Sequence, residues 1–89
     1  MFKKKVKVQN SAGIHARPAA MIVQEASRFE SDFHIHMYGY RINGKSILGL
    51  LTLAADHGAE LELEVDGPDE KEAMERIVTL FKNGFKMED

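Results

Sequence analysis

Between Glu60 and Asp66 the chain alternates strictly, with Leu61, Leu63 and Val65 on one parity and Glu60, Glu62, Glu64 and Asp66 on the other. A period of two sends successive side chains to opposite faces, so this segment reads as a strand with one apolar and one acidic face. Near the N-terminus Phe2, Val6 and Val8 alternate in the same way with Lys3, Lys5 and Lys7, which predicts a strand whose outer face is basic. Opposite charges on facing strands contribute only about 0.2–1 kcal/mol per pair, yet the match makes the first and last strands expected sheet neighbours. A third alternation sets Phe33, Ile35 and Met37 against Asp32, His34 and His36, and Tyr40 and Ile42 follow after Tyr38-Gly39. That pattern predicts a hairpin turning at Tyr38-Gly39.

The apolar period changes between these strands. From Ala16 to about Phe29 the residues Ala19, Ile22, Val23 and Ala26 fall on one helical face, with Gln24, Glu25 and Arg28 elsewhere on the wheel. From Asp69 to Lys82 the set Ala73, Ile77, Leu80 and Phe81 repeats that spacing; Asp69 with Glu72 resembles a capping box, and Gly84 offers a stop. Ser46 to Ala54 reads as a third, shorter helix, although Gly49 costs it about 0.5–1 kcal/mol relative to Ala. The expected order is βαββαβα. Helices with one apolar stripe each must bury it against one sheet face, so the fold class is α+β: an open-faced sandwich with a four-stranded antiparallel sheet and three helices on one side.

With 89 residues the chain is expected to be one domain spanning 1–89, with a single modest core. Net charge −2 and only one short lysine run, Lys3-Lys4-Lys5, exclude the basic face that nucleic acid requires. The chain has no cysteine, which removes disulfides, thiolate metal sites and thiol chemistry and fits a reducing compartment. No apolar run approaches the roughly 20 residues of a membrane span, and the N-terminus lacks the apolar stretch of a secretory signal. The longest apolar segment, Ile47 to Ala55, is interrupted by Gly49 and Thr52. The expected location is the cytoplasm, without membrane insertion.

The chemical information is concentrated in Ser11-Ala12-Gly13-Ile14-His15-Ala16-Arg17-Pro18-Ala19-Ala20. Gly13 permits a tight approach of the loop, and the helical pattern starts directly after His15, which puts that imidazole at or near the N-cap. Pro18 falls in the first turn, where a missing N–H loses no intrahelical bond. The N–H groups of Ala16 and Arg17 and the positive end of the helix dipole make a place suited to a phosphoryl group, and the Arg17 guanidinium can add paired bonds to its oxygens. Imidazole is a competent nucleophile at neutral pH, and the N–P bond it forms is labile enough for onward transfer. On its own, a histidine at a helix start is more often a simple cap or surface residue.

The surrounding pattern reverses that balance. The stretch from Ser11 to Ala20 resembles the active-site loop of the histidine-containing phosphocarrier family, HPr, of the bacterial phosphoenolpyruvate-dependent sugar phosphotransferase system. Asn43-Gly44-Lys45-Ser46-Ile47-Leu48-Gly49-Leu50 resembles that family's second motif at the expected distance, and chain length and element order match as well. The resemblance implies a phosphoryl carrier protein rather than a free-standing enzyme, with no cofactor and no metal. It implies phosphorylation on Nδ1 of His15 by enzyme I, contact of Arg17 with the phosphoryl group, and transfer to an EIIA domain. It marks Ser46 as a regulatory site for an ATP-dependent HPr kinase/phosphorylase, although Ser46 as a plain N-cap is the simpler role. It also implies a partner surface made by Ala20, Gln24, Ile47, Leu48 and Leu51. Too many of the apolar residues from Ile47 to Leu53 exist for one buried face, so some are expected to be exposed. Many members carry methionine where Leu48 stands. A monomer is expected.

Other signals weigh less. Gly49 to Ala55 is as compatible with nitrogen-type regulatory members as with sugar-system ones. The run from Gly39 to Ser46 satisfies GxxxxGK[ST], but Tyr40 and Ile42 read as strand positions inside it, so a nucleotide-binding loop is not expected. His34 and His36 share a strand face, which without a third ligand means a solvated face. His57 belongs to a polar turn.

Overall fold

A computed structural model describes residues 1–86. The elements are β1 (Phe2–Lys7), α1 (Ala16–Ala26), β2 (Asp32–Met37), β3 (Tyr40–Asn43), α2 (Ile47–Leu53), β4 (Glu60–Asp66) and α3 (Glu70–Lys82), with a 3-10 turn over Gly84–Lys86. The four strands form one antiparallel sheet in the order β1-β4-β2-β3. This is the βαββαβα open-faced sandwich, with the helices on one side.

The alternation sorts the sheet. Phe33, Ile35 and Met37 of β2 and Leu61, Leu63 and Val65 of β4 are buried against Ala19, Ile22 and Ala26 of α1, Leu50 and Leu53 of α2, and Ala73, Ile77 and Phe81 of α3. β1 lies beside β4, with Lys3 opposite Glu64, Lys5 opposite Glu62 and Lys7 opposite Glu60. As an edge strand it buries little: Phe2 is exposed and Val6 half-buried, and only Val8, just past its end, is fully buried. The hairpin turns at Tyr38 and Gly39, with φ of +51° and +82°. Positive φ at both central residues is what a tight two-residue connection between twisted strands requires.

Two helix boundaries differ from expectation. α1 stops at Ala26 rather than near Phe29, because the next residues tighten: the Arg28 N–H donates to Glu25 O and the Phe29 N–H to Ala26 O, a 3-10 pattern. At α3 the expected capping box does not form, and Asp69 is the N-cap without a side-chain cap bond. Its carboxylate reaches the chain after α1 instead, accepting from the Glu30 N–H at 2.9 Å, the Ser31 N–H at 3.0 Å and the Ser31 hydroxyl. The Ser31 hydroxyl, foremost, and these amides hold Asp69 below its ordinary value. The loop amide at the start of α3 is met by Glu70, which accepts from the Gly67 N–H at 3.1 Å. A tertiary bond has replaced a local one.

Candidate functional site

The chain leaving β1 is pinned before it enters α1. Val8 continues the sheet contact, its N–H donating to Ala59 O at 2.9 Å and its carbonyl accepting from the Gly58 N–H at 2.7 Å. Residues Asn10 to Gly13 then form a turn closed by Gly13 N–H to Asn10 O at 3.1 Å. Gly13 has φ +73°, and a Cβ there would lie 2.4 Å from Ala55 O. Only glycine lets the loop lie this close to the end of α2. The buried Ile14 then donates its N–H to the same Ala55 carbonyl at 2.8 Å. The loop is thus anchored to the segment linking α2 and β4.

His15 follows as the N-cap of α1, extended at φ −100° and ψ −165°, with its side chain exposed and making no cap bond. Its carbonyl accepts the first helical bond, from the Ala19 N–H at 3.0 Å. The N–H groups of Ala16 and Arg17 precede that bond and have no helical acceptor, and Pro18, buried in the first turn, has no N–H to offer. Both Ala16 and Arg17 are exposed. An imidazole, two backbone donors and a guanidinium therefore share one solvent-facing helix start. Donors aimed at one place can stabilise the equatorial oxygens of a phosphoryl group during transfer.

The other residues singled out in the sequence lie on α1 and on α2 with its N-cap. Ala20 is half-buried and Gln24 exposed along α1, while α2, which packs on α1, exposes Ile47, Leu48 and Leu51 at 43%, 72% and 39%. Leu50 and Leu53 take the buried positions of that helix. Three large apolar side chains on seven residues of exposed helix form a patch with no internal purpose. Ser46 is the N-cap of α2, its Oγ accepting from the Gly49 N–H at 3.1 Å.

The remaining signals resolve into structure. The GxxxxGK[ST] run is spent on β3, and Gly44 is wedged against the Phe33 ring, where a Cβ would lie within 2.2–2.8 Å of ring carbons. The Lys45 ammonium donates to Phe29 O at 2.9 Å, tying α2's entrance to the end of α1 rather than cradling a phosphate. His36 Nε2 bonds Glu64 Oε1 at 2.7 Å, Arg41 donates to Glu64 Oε2 at 3.2 Å, and the same Arg41 nitrogen lies 3.3 Å from His34 Nδ1. These bonds, the His36 one foremost, hold the buried Glu64 below its ordinary value. Among the described residues no group of three or more His, Asp or Glu is placed to hold a metal ion. No helix among them is long and apolar enough to cross a membrane. His57 is exposed in its turn. Sequence reasoning passed over Asn10, which is 1% exposed and donates from Nδ2 to Gly13 O at 2.6 Å; in the polar run Gln9-Asn10-Ser11 nothing distinguishes a buried amide from a solvated one.

Sheet, helices and exposed N-cap histidine together define a small phosphocarrier-type α+β protein. Residues 2–83 match the family described as PTS HPr component phosphorylation site. The phosphocarrier protein HPr of Treponema pallidum is 52% identical over 88 residues, covering 99% of this chain and 100% of the relative, and the HPr-like protein Crh of Bacillus subtilis is 47% identical over 77 residues, covering 86% and 91%. The crystal structure of HPr-C-His from Thermoanaerobacter tengcongensis superimposes with a TM-score of 0.96 at 36% identity, over the full length of both chains. The chain belongs to the HPr phosphocarrier family.

Proposed function

We propose that this chain, as one domain over residues 1–89, receives a phosphoryl group on His15 from the phosphohistidine of enzyme I, charged by phosphoenolpyruvate, and passes it to an EIIA-type acceptor in sugar uptake. The observation that carries this reading is the exposed His15 imidazole at the N-cap of α1, which is not used as a cap. In the forward step the Nδ1 lone pair attacks phosphorus and forms the N–P bond. The donor's N–P bond breaks, and its electron pair returns to the donor imidazole. Onward transfer is the same exchange with the acceptor's histidine, so no oxidant, metal or cofactor enters. Arg17 and the amides of Ala16 and Arg17 hold the phosphoryl oxygens, which matters because phosphoryl transfer is governed by positioning and charge.

Ala20, Gln24, Ile47, Leu48 and Leu51 serve as the docking face for enzyme I and EIIA in turn. Ser46, beside that face, is the site for an HPr kinase/phosphorylase; a phosphate there adds close to two negative charges to an apolar docking surface. Its cap bond to Gly49 is compatible with this role. A second reading, a regulatory carrier acting through protein interactions, is favoured by the 44% identity to Crh of Bacillus subtilis, whose solution structure is that of a catabolite repression HPr. The setting in either case is the cytoplasm.

Incubation with phosphoenolpyruvate and enzyme I, followed by mass and acid-stability measurements, tests the claim. The expected product is an acid-labile adduct that disappears in His15→Ala; an acid-stable adduct, or one that survives the substitution, overturns it. Passage of the group to EIIA separates sugar transport from the regulatory reading, and ATP with the kinase should give an acid-stable adduct lost in Ser46→Ala.

A further inference from the structure

Asn10 grips both backbone polar groups of Gly13. Its carbonyl accepts the Gly13 N–H at 3.1 Å and its side-chain Nδ2 donates to Gly13 O at 2.6 Å. The Gly13 carbonyl is shared: the backbone N–H of His15 donates to it at 3.2 Å. The Gly13 carbonyl therefore sits between a buried side-chain donor on one side and the backbone of the candidate nucleophile on the other. The donor identity is forced, since an oxygen placed 2.6 Å from a carbonyl oxygen would repel it. No described protein group meets the other amide atom, Oδ1, so the N–H half is the part of the side chain that the fold uses.

We infer that Asn10 is a positioning residue for phosphoryl transfer, acting through the Gly13 carbonyl on the backbone of His15; this rests on the function proposed above. The imidazole must meet phosphorus beside the free Ala16 and Arg17 amides, and errors near 1 Å in such a geometry lower rates by about a hundredfold. Ile14 anchors the loop to Ala55 from one direction, and Asn10 anchors it from the other. With the Asn10 donor removed, Gly13 O keeps only the His15 bond and the loop gains freedom at its left-handed residue.

The test is the enzyme I reaction with Asn10→Asp, which keeps the shape and loses the donor, and Asn10→Ala, each normalised to folded protein by circular dichroism. Both variants are expected to lower kcat by about tenfold while leaving KM for enzyme I unchanged, because the docking face is untouched. A purely structural role would lower stability and leave kcat per folded molecule as it was, which overturns the inference. In the unsubstituted chain, a trans-hydrogen-bond NMR coupling between Asn10 Nδ2 and the Gly13 carbonyl carbon is expected before and after phosphorylation. Its loss in the phosphorylated chain overturns the inference; should both variants fail to fold, Asn10→Ser, which keeps a donor on a shorter side chain, is expected to lower kcat per folded molecule, and full kcat in it overturns the inference. Failure of the unsubstituted chain to form a His15 adduct sinks the proposed function itself. A normal adduct formed at full kcat by both variants sinks the role of Asn10 alone.

Discussion

Gly13→Ala is the substitution whose consequences the structure specifies most fully. Two separate penalties meet at that position. The first is conformational: φ is +73°, and an L-residue with a Cβ in the left-handed region costs about 1–2 kcal/mol. The second is steric, because the new Cβ would sit 2.4 Å from Ala55 O and 3.0 Å from Asp56 Cα. Both are backbone atoms, so no side chain can swing aside. Moving the Ala55 carbonyl away breaks its 2.8 Å bond with the Ile14 N–H. Ile14 is 6% exposed, and a buried donor left unpaired costs about 1–3 kcal/mol. The expected loss is about 3–4 kcal/mol, a large part of the roughly 5–10 kcal/mol available to a chain of this size. Urea unfolding reads it directly: at a slope near 1 kcal/mol/M the midpoint falls by about 3 M. Gly58→Ala is the control. Gly58 has φ +84° and nothing within 4 Å of its would-be Cβ, so it carries the first penalty alone, about 1–2 kcal/mol. Equal losses at the two positions, within about 0.5 kcal/mol, would refute the claim that close approach to Ala55 anchors the loop.

Four further outcomes are expected. Ser46→Ala removes the hydroxyl that accepts from the Gly49 N–H and should lower urea-unfolding stability by about 1 kcal/mol, the usual worth of an N-cap. Glu64 is held below its ordinary value of 4.5 by His36 and Arg41; its contribution is therefore present above that value and lost as pH falls through the folded one, so Glu64→Gln should flatten the acid limb of stability against pH. An unchanged acid limb would remove Glu64 from that account. Equilibrium dialysis with ATP should show no binding that depends on Lys45, whose ammonium is committed to Phe29 O, and saturable binding lost in Lys45→Ala would overturn that assignment. Light scattering should give the mass of one chain, since the sheet's edges are the lysine-rich β1 and the four-residue β3, both poor templates for pairing.

The strands, the β1–β4 pairing and the β2–β3 hairpin were readable because a period of two admits only one way to hide Leu61, Leu63 and Val65, because the lysines of β1 and the acids of β4 complement each other, and because Tyr38-Gly39 marks a turn; the β2–β4 pairing carried no such local signal. His15 as N-cap was readable from Gly13 and Pro18, each of which has a local backbone reason for its place. What was hidden depends on contacts distant in sequence. Asp69 and Glu72 satisfy the capping-box pattern, but nothing local shows that Ser31, 38 positions earlier, will take the Asp69 carboxylate. Asn10 stands in a polar run, and its burial and its bond to Gly13 O appear only once the loop is folded. Lys45 could be set aside as a nucleotide ligand from strand parity, yet its bond to Phe29 O needed the end of α1 to be placed first.

On the proposed function, a carrier that presents one imidazole to successive partners faces opposed demands: the side chain must be reachable, and its backbone must not wander. The fold separates the two. His15, Ala16 and Arg17 are exposed, while the residues just before and after them, Gly13, Ile14, Pro18 and Ala19, are buried. The backbone is held from behind by bonds between buried residues, from Asn10 to Gly13 and from Ile14 to Ala55. The apolar side chains left outside on α2 are on a helix that packs directly against α1, the helix that His15 caps, so on the proposed function a partner docked on that patch is expected to lie within reach of the imidazole. Loosening of the loop should therefore appear in kcat, and alterations of Leu48 or Leu51 should appear in KM.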